Sequence, residues 1–78
     1  MQDHIEEKLI VLLQELVTNS KVQINLNSHL VNDLELDSLA VVDMSLICED
    51  EFDIEIFDDD LDNIYIVRDV VQLVKSRL

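Results

Sequence analysis

The run Asp33-Leu34-Glu35-Leu36-Asp37-Ser38-Leu39 sets one hydroxyl, Ser38, among carboxylates where a loop gives way to a helical pattern. A serine near a helix N-terminus stands beside backbone N–H groups that lack intrahelical partners, at the positive end of the helix dipole. Its oxygen is therefore well placed to bear a phosphate ester. It is badly placed to act as a nucleophile of its own, because neither His4 nor His29 stands in a triad-like arrangement with it. Ser38 is expected to be a substrate for another protein's chemistry, and no catalytic residue is assigned. A plainer reading competes: Ser and Asp are favoured N-caps, so position alone does not make Ser38 a modification site.

A second constellation invites a calcium reading. Asp58, Asp60 and Asp62 fall at positions 1, 3 and 5 of an EF-hand-like loop, with Phe57 before them and Asp69 at position 12. Against it, Asn63 stands where the sharp turn needs Gly, Asp69 replaces the bidentate Glu, and there is no second loop to pair with. The run Asp58 to Asp60 reads first as a solvated acidic face, and no metal site is assigned. Cys48 reads as a small buried hydrophobe, and His4 and His29 as solvated or locally hydrogen-bonded groups without metal-ligand spacing.

The elements that must position Ser38 follow from periodicity. Ile5, Leu9, Leu12, Leu13 and Leu16 mark one face of a first helix, with Asp3 and Glu6 as a capping box and Thr18-Asn19-Ser20 as its end. Lys21 to Asp37 holds several Asn and no sustained period, and reads as a long ordered loop whose end is a natural place for a site. From Asp37 to about Phe52 a second helix places Val41, Met44, Ser45, Cys48 and Phe52 on one face, and Leu39, Val42, Asp43, Leu46 and Asp50 on the other. Apolar residues on two sides are unusual for a half-buried helix. Asp58 to Asn63 reads as an acidic turn or short helix around Leu61. The last helix carries Val67, Val70, Val71, Val74 and Leu78 on one stripe, with Lys75 and Arg77 near its C-terminal dipole. The expected fold class is all-α: a small four-helix bundle, three main helices plus one short, in a single domain over residues 1–78. Tyr65 and Ile66 tolerate strand geometry but do not make a sheet.

Composition narrows the function. Five Lys and Arg against eighteen Asp and Glu leave a net charge of −13, which repels nucleic acid and anionic membrane surfaces, while 49% hydrophobic residues demand a real core. With no Gly in the chain, a phosphate-cradling glycine loop is excluded, and turns that need positive φ fall to Asn or Asp. The single cysteine, the absence of a secretory signal pattern and short, charge-broken apolar runs lead us to expect a soluble, cytoplasmic protein without a membrane span. A monomer is expected.

Asp37-Ser38-Leu39, preceded by Asp33-Leu34 and followed by Glu49-Asp50-Glu51-Phe52-Asp53-Ile54-Glu55-Ile56, resembles the acyl carrier protein family of phosphopantetheine-binding domains, and the likeness covers most of the chain. The resemblance implies a four-helix bundle in which Ser38 carries 4′-phosphopantetheine through a phosphodiester, its thiol holding acyl or aminoacyl groups as thioesters. It implies a carrier rather than an enzyme, serving a fatty acid, polyketide or related pathway. The implied partners are a phosphopantetheinyl transferase and acyl-transferring or acyl-modifying enzymes with basic docking patches. The docking residues would be Asp37, Leu39, Val42, Asp43, Leu46, Glu49 and Asp50: outward apolar side chains beside Ser38, rimmed by carboxylates. An acidic helical interaction module without cofactor is the alternative. Two departures from the family's pattern stand out. Glu35 and Leu36 occupy positions where Gly is common, and Phe57 and Tyr65-Ile66 stand where Pro and Thr are common.

Overall fold

The computed structural model describes residues 4–17 and 22–78; the Asp3 cap and the Thr18 to Ser20 helix end lie outside the described residues. Among the described residues four helices follow in order: α1 His4–Leu16, α2 Ser38–Phe52, α3 Asp58–Leu61 and α4 Val67–Arg77. The architecture is the all-α bundle expected, and among the described residues the nearest thing to a sheet is one antiparallel bridge between His29 and Ile66.

Periodicity becomes packing in a direct way. Leu9 and Leu13 from α1, Met44 and Cys48 from α2, and Val67, Val70, Val71 and Val74 from α4 form one buried cluster, with α1 packed on both α2 and α4. Each large side chain so buried contributes roughly 1.5–3 kcal/mol relative to exposure. Two expectations need correction. Leu78 extends the α4 stripe on paper, but it lies beyond the helix and is exposed. Phe52 is only half-buried against the cluster, because it ends α2 where the chain is already turning away.

From Val22 onward the long loop contributes to the core. Leu30, Leu34 and Leu36 are buried, and the backbone is tied to the start of α4. The N–H of Leu30 donates to Tyr65 O at 2.9 Å, Val67 N–H to Ser28 O at 3.0 Å and Arg68 N–H to Leu26 O at 2.9 Å. His29 Nδ1 accepts the N–H groups of Val31 (3.2 Å) and Asn32 (3.1 Å), while Asp33 Oδ2 accepts His29 N–H at 2.7 Å. Imidazole and carboxylate thus close the turn that precedes the Ser38 segment. At the start of α4 Ile66 offers no side-chain oxygen to a helix N–H, and the other half of the cap is supplied by Asp69, whose Oδ2 reaches back to accept the N–H groups of Tyr65 (2.9 Å) and Ile66 (3.1 Å).

A chain without glycine still needs left-handed backbone, and among the described residues it has it at two, Glu35 (φ 59°) and Asp53 (φ 56°). Asp53 suits the conformation and closes the C-terminus of α2, its N–H donating to Glu49 O. Glu35 does not suit it: its Cβ is strained there, and among the described residues its exposed side chain has no hydrogen bond or ion pair that repays the cost. Glu35→Gly is therefore expected to raise stability by ~0.5–1 kcal/mol, relief of strain outweighing the added chain entropy. Urea unfolding of Glu35→Gly beside Glu35→Gln separates the backbone effect from loss of a charge, and equal midpoints for the two variants would refute the strain.

Candidate functional site

Ser38 is the first residue of α2, yet it does not cap it. Asp37 is the N-cap: its Oδ1 accepts the N–H of Ala40 at 2.8 Å, and its carbonyl accepts Val41 N–H at 3.0 Å. The competing reading of Ser38 as a cap is thereby answered by its neighbour. Ser38 is exposed, and among the described residues its Oγ has no hydrogen-bond partner. The N–H groups of Ser38 and Leu39 come too early in the helix for an intrahelical carbonyl and have no acceptor among the described residues. A free hydroxyl, two orphan amides and the positive end of a fifteen-residue helix meet at one point. That combination favours a phosphate ester on Oγ.

Beside it opens a groove of about 460 Å³, within the range of small-molecule sites. Leu30, Val41, Val42, Leu61 and Ile64 give it a mainly apolar lining, and Asp58, Asp62, His29 and Tyr65 add polar groups. His29, Tyr65 and the α3 residues were not legible as groove residues, since they come to Ser38 through the bridge and backbone bonds between the loop and the start of α4 and through the contact of α3 with α2.

On the solvent face of α2 the two-sided pattern is realised. Leu39 is 74% exposed, Leu46 56% and Val42 44%, with Asp43 and Asp50 exposed among them. Asp37 is also exposed, though its carboxylate is engaged as the cap. Glu49 is different: half-buried, its Oε2 accepts Ile56 N–H at 2.7 Å and so pins the segment after α2. Charge is segregated along the chain. Thirteen of the eighteen carboxylates and none of the five cations lie between Val22 and Val67, so the flanking segments are neutral in sum. The cations Lys8, Lys75 and Arg77 each pair with a carboxylate, at 2.7 Å to Glu51, 3.9 Å to Glu6 and 2.7 Å to Asp60.

At the calcium alternative, Asp58 to Asp69, two of the carboxylates have other partners. Asp58 and Asp60 are wound into α3 instead of a liganding loop, Asp60 is held by Arg77 and Phe57 N–H, and Asp69 is spent capping α4. The Phe57 N–H bond holds the Asp60 carboxyl below its ordinary range; desolvation opposes it, and the hydrogen bond and charge of Arg77 add to the lowering. The carboxylate therefore stays ionised, and its contacts intact, until pH falls below the usual Asp titration.

Cys48 is buried in the core, and burial pushes its thiol up to about 11. Thiolate is the reactive form, so Cys48 should not react with a disulfide reagent at pH 8 until the chain is unfolded. Any thiol titrating quickly in the folded protein would then belong to an attached group. Rapid modification of the unloaded chain would refute this.

Residues 7–74 match a family model described as the phosphopantetheine attachment site. An acyl carrier protein of Coprothermobacter proteolyticus is 40% identical over 77 residues, covering 99% of this chain and 94% of that one. The chain belongs to the acyl carrier protein family. The acyl carrier protein of Rickettsia canadensis is 37% identical over 96% of this chain and 87% of its own length. Among solved structures, a Mycobacterium tuberculosis protein proposed to be an acyl carrier protein superposes with a TM-score of 0.85 at 36% identity, covering 92% and 96% of the two chains. The acyl carrier protein of Thermotoga maritima shares the fold, with a TM-score of 0.77 at 23% identity over 99% and 94%. Acyl carrier proteins carry covalently attached 4′-phosphopantetheine. The exposed hydroxyl, orphan amides and adjoining groove fit such a phosphate-linked arm. Among the described residues, no helix is long and apolar enough to cross a membrane.

Proposed function

We propose that Ser38 is the anchor of the 4′-phosphopantetheine arm and that the chain shuttles acyl intermediates between enzymes of a fatty acid, polyketide or related biosynthetic pathway. The observation that carries the reading is the division of labour at the start of α2: Asp37 holds the helix, and Ser38 Oγ is exposed and unpartnered. A transferase removes the Oγ proton; the oxygen forms the new ester bond to the pantetheine-bearing phosphorus of coenzyme A, and the nucleotide portion leaves. The orphan amides of Ser38 and Leu39 face the negative charge that the ester brings to the helix end. The arm supplies a terminal thiol for thioester chemistry. The chain's own residues supply exposure, a rigid base and an apolar groove next to the anchor.

In the same reading, Leu39, Val42 and Leu46 form the centre of a docking face, and Asp37, Asp43, Glu49 and Asp50 its acidic rim. The transferase and acyl-handling enzymes meet it with Lys and Arg. The chain works as a cytoplasmic monomer. The test is intact-protein mass before and after incubation with coenzyme A and a broad-specificity phosphopantetheinyl transferase. A gain of one arm, localised to the peptide containing Ser38, supports the proposal. No gain under conditions that load another acyl carrier protein refutes it, leaving an acidic interaction module without cofactor.

A further inference from the structure

The short helix α3 borders the Ser38 groove with Asp58, Leu61 and the following Asp62, but little holds it there. It has four residues and none of them is buried. A helix this short has no independent stability. Its own hydrogen bonds are short-range, as in Asn63 Nδ2–H to Asp59 O at 3.0 Å and Tyr65 O–H to Asp62 O at 3.1 Å. Ile56 before it and Ile64 after it pack against the core. The segment is thus fixed at both ends and loosely seated between them.

One guanidinium grips that segment from the far end of α4. Arg77 Nη1–H donates to Glu55 O at 2.9 Å, Nη2–H donates to Asp60 Oδ1 at 2.7 Å, and the guanidinium carbon lies 5.5 Å from the centre of the Phe57 ring. The other oxygen of Asp60 accepts Phe57 N–H at 2.9 Å. Three points of one segment are joined to a single planar cation, which a lysine ammonium cannot reproduce. The ion pair is partly sheltered, with side-chain exposures of 30% for Arg77 and 19% for Asp60.

We propose that Arg77 is a positioning residue: it latches α3 to the end of α4 and so sets how far the groove beside Ser38 stands open. It touches neither Ser38 nor the groove, and acts through Asp60, Phe57 and the backbone at Glu55. What the groove's width means for a carried group rests on the carrier reading; the latch itself does not.

The latch is tested on the unloaded chain by amide hydrogen exchange and by broadening of methyl NMR signals with a soluble nitroxide. In Arg77→Gln, exchange of amides in residues 57–63 is expected to rise about tenfold or more, and nitroxide broadening of the Leu61 and Val42 methyls to increase. Amides in the middle of α1 and methyls of Val74 should change less than twofold. Arg77→Lys should behave nearly as Arg77→Gln. Asp60→Asn should repeat the pattern more weakly, and the double variant should be no worse than Arg77→Gln. Unchanged exchange in 57–63, or a rise spread evenly over all helices, overturns the proposal. So does faster α3 exchange with no change at the groove methyls. On the loaded chain, an octanoyl thioester should be cleaved several-fold faster by hydroxylamine in Arg77→Gln than in the wild type; equal rates overturn the link between latch and groove. A chain that shows the exchange and broadening changes but cannot be loaded would refute the carrier reading and leave the latch standing.

Discussion

Ser38→Ala is expected to abolish uptake of the arm completely while leaving the melting transition where it was. The first half follows from the other hydroxyls in the described chain. Ser45 Oγ donates to Val42 O at 2.6 Å and is buried, Ser28 is buried with its oxygen accepting Asn25 N–H at 3.0 Å, and Ser76 donates to Leu73 O at 2.7 Å. None stands free at a helix start. The second half follows from Asp37, which keeps its bond to Ala40 N–H whatever occupies position 38. Alanine is also a slightly better helix former than serine, by at most about 0.7 kcal/mol. Asp37→Ala provides the contrast, since loss of a true cap costs about 1 kcal/mol. Intact mass and thermal melting of the two variants check both halves. An arm still found on Ser38→Ala, or a Ser38→Ala chain that melts like Asp37→Ala, would undo the assignment.

Leu13→Ala and Leu46→Ala, the same substitution on two helices, should fail in different ways. Leu13 is 0% exposed, so its truncation leaves a cavity and should cost ~2–5 kcal/mol. At roughly 0.05–0.15 kcal/mol per residue, a chain of 78 residues has a total stability of only about 4–12 kcal/mol. Leu13→Ala is therefore expected to be close to unfolding at 37 °C. Leu46 is 56% exposed on the α2 face, and its truncation should cost less than about 1 kcal/mol of stability while weakening transferase binding by roughly tenfold. Denaturant midpoints and transferase KM values measured side by side separate the two. A Leu46→Ala chain as unstable as Leu13→Ala would place Leu46 in the core and remove the docking face. A chain of normal stability and undiminished transferase binding would remove it as well.

The parts of this protein that could be read from its sequence are those where period does the work. Leu9 with Leu13, Met44 with Cys48, and the Val67 to Val74 stripe announce their helices and their buried faces, and the exposed second stripe of α2 is visible by the same arithmetic. Ser38 stood out through the residues around it and the family they resemble. Less could be read where neighbours compete for one role. Asp37 and Ser38 are both good caps, and only three-dimensional geometry decides which side chain reaches Ala40 N–H. Glu35 gives no signal for left-handed backbone, because that signal is carried by Gly, Asn and Asp. Asp58, Asp60 and Asp69 had the spacing of a liganding loop, yet Asp58 and Asp60 are wound into α3 and the carboxylates of Asp60 and Asp69 are taken by other partners. The groove escaped because its lining comes from segments far apart in the chain, joined by a single bridge and a few backbone bonds.

The segregation of charge has a consequence for motion before contact. With the whole net charge lying between Val22 and Val67 and the flanking segments neutral in sum, the centre of negative charge is set by the loop, α2 and α3 rather than by α1 and α4. A basic partner exerts a torque on it as well as a pull. At separations inside a Debye length, about 8 Å at physiological ionic strength, that torque turns the α2 side toward the approaching surface before any side chains touch. Rotational search, which ordinarily cuts protein association far below the collision rate, is thereby shortened.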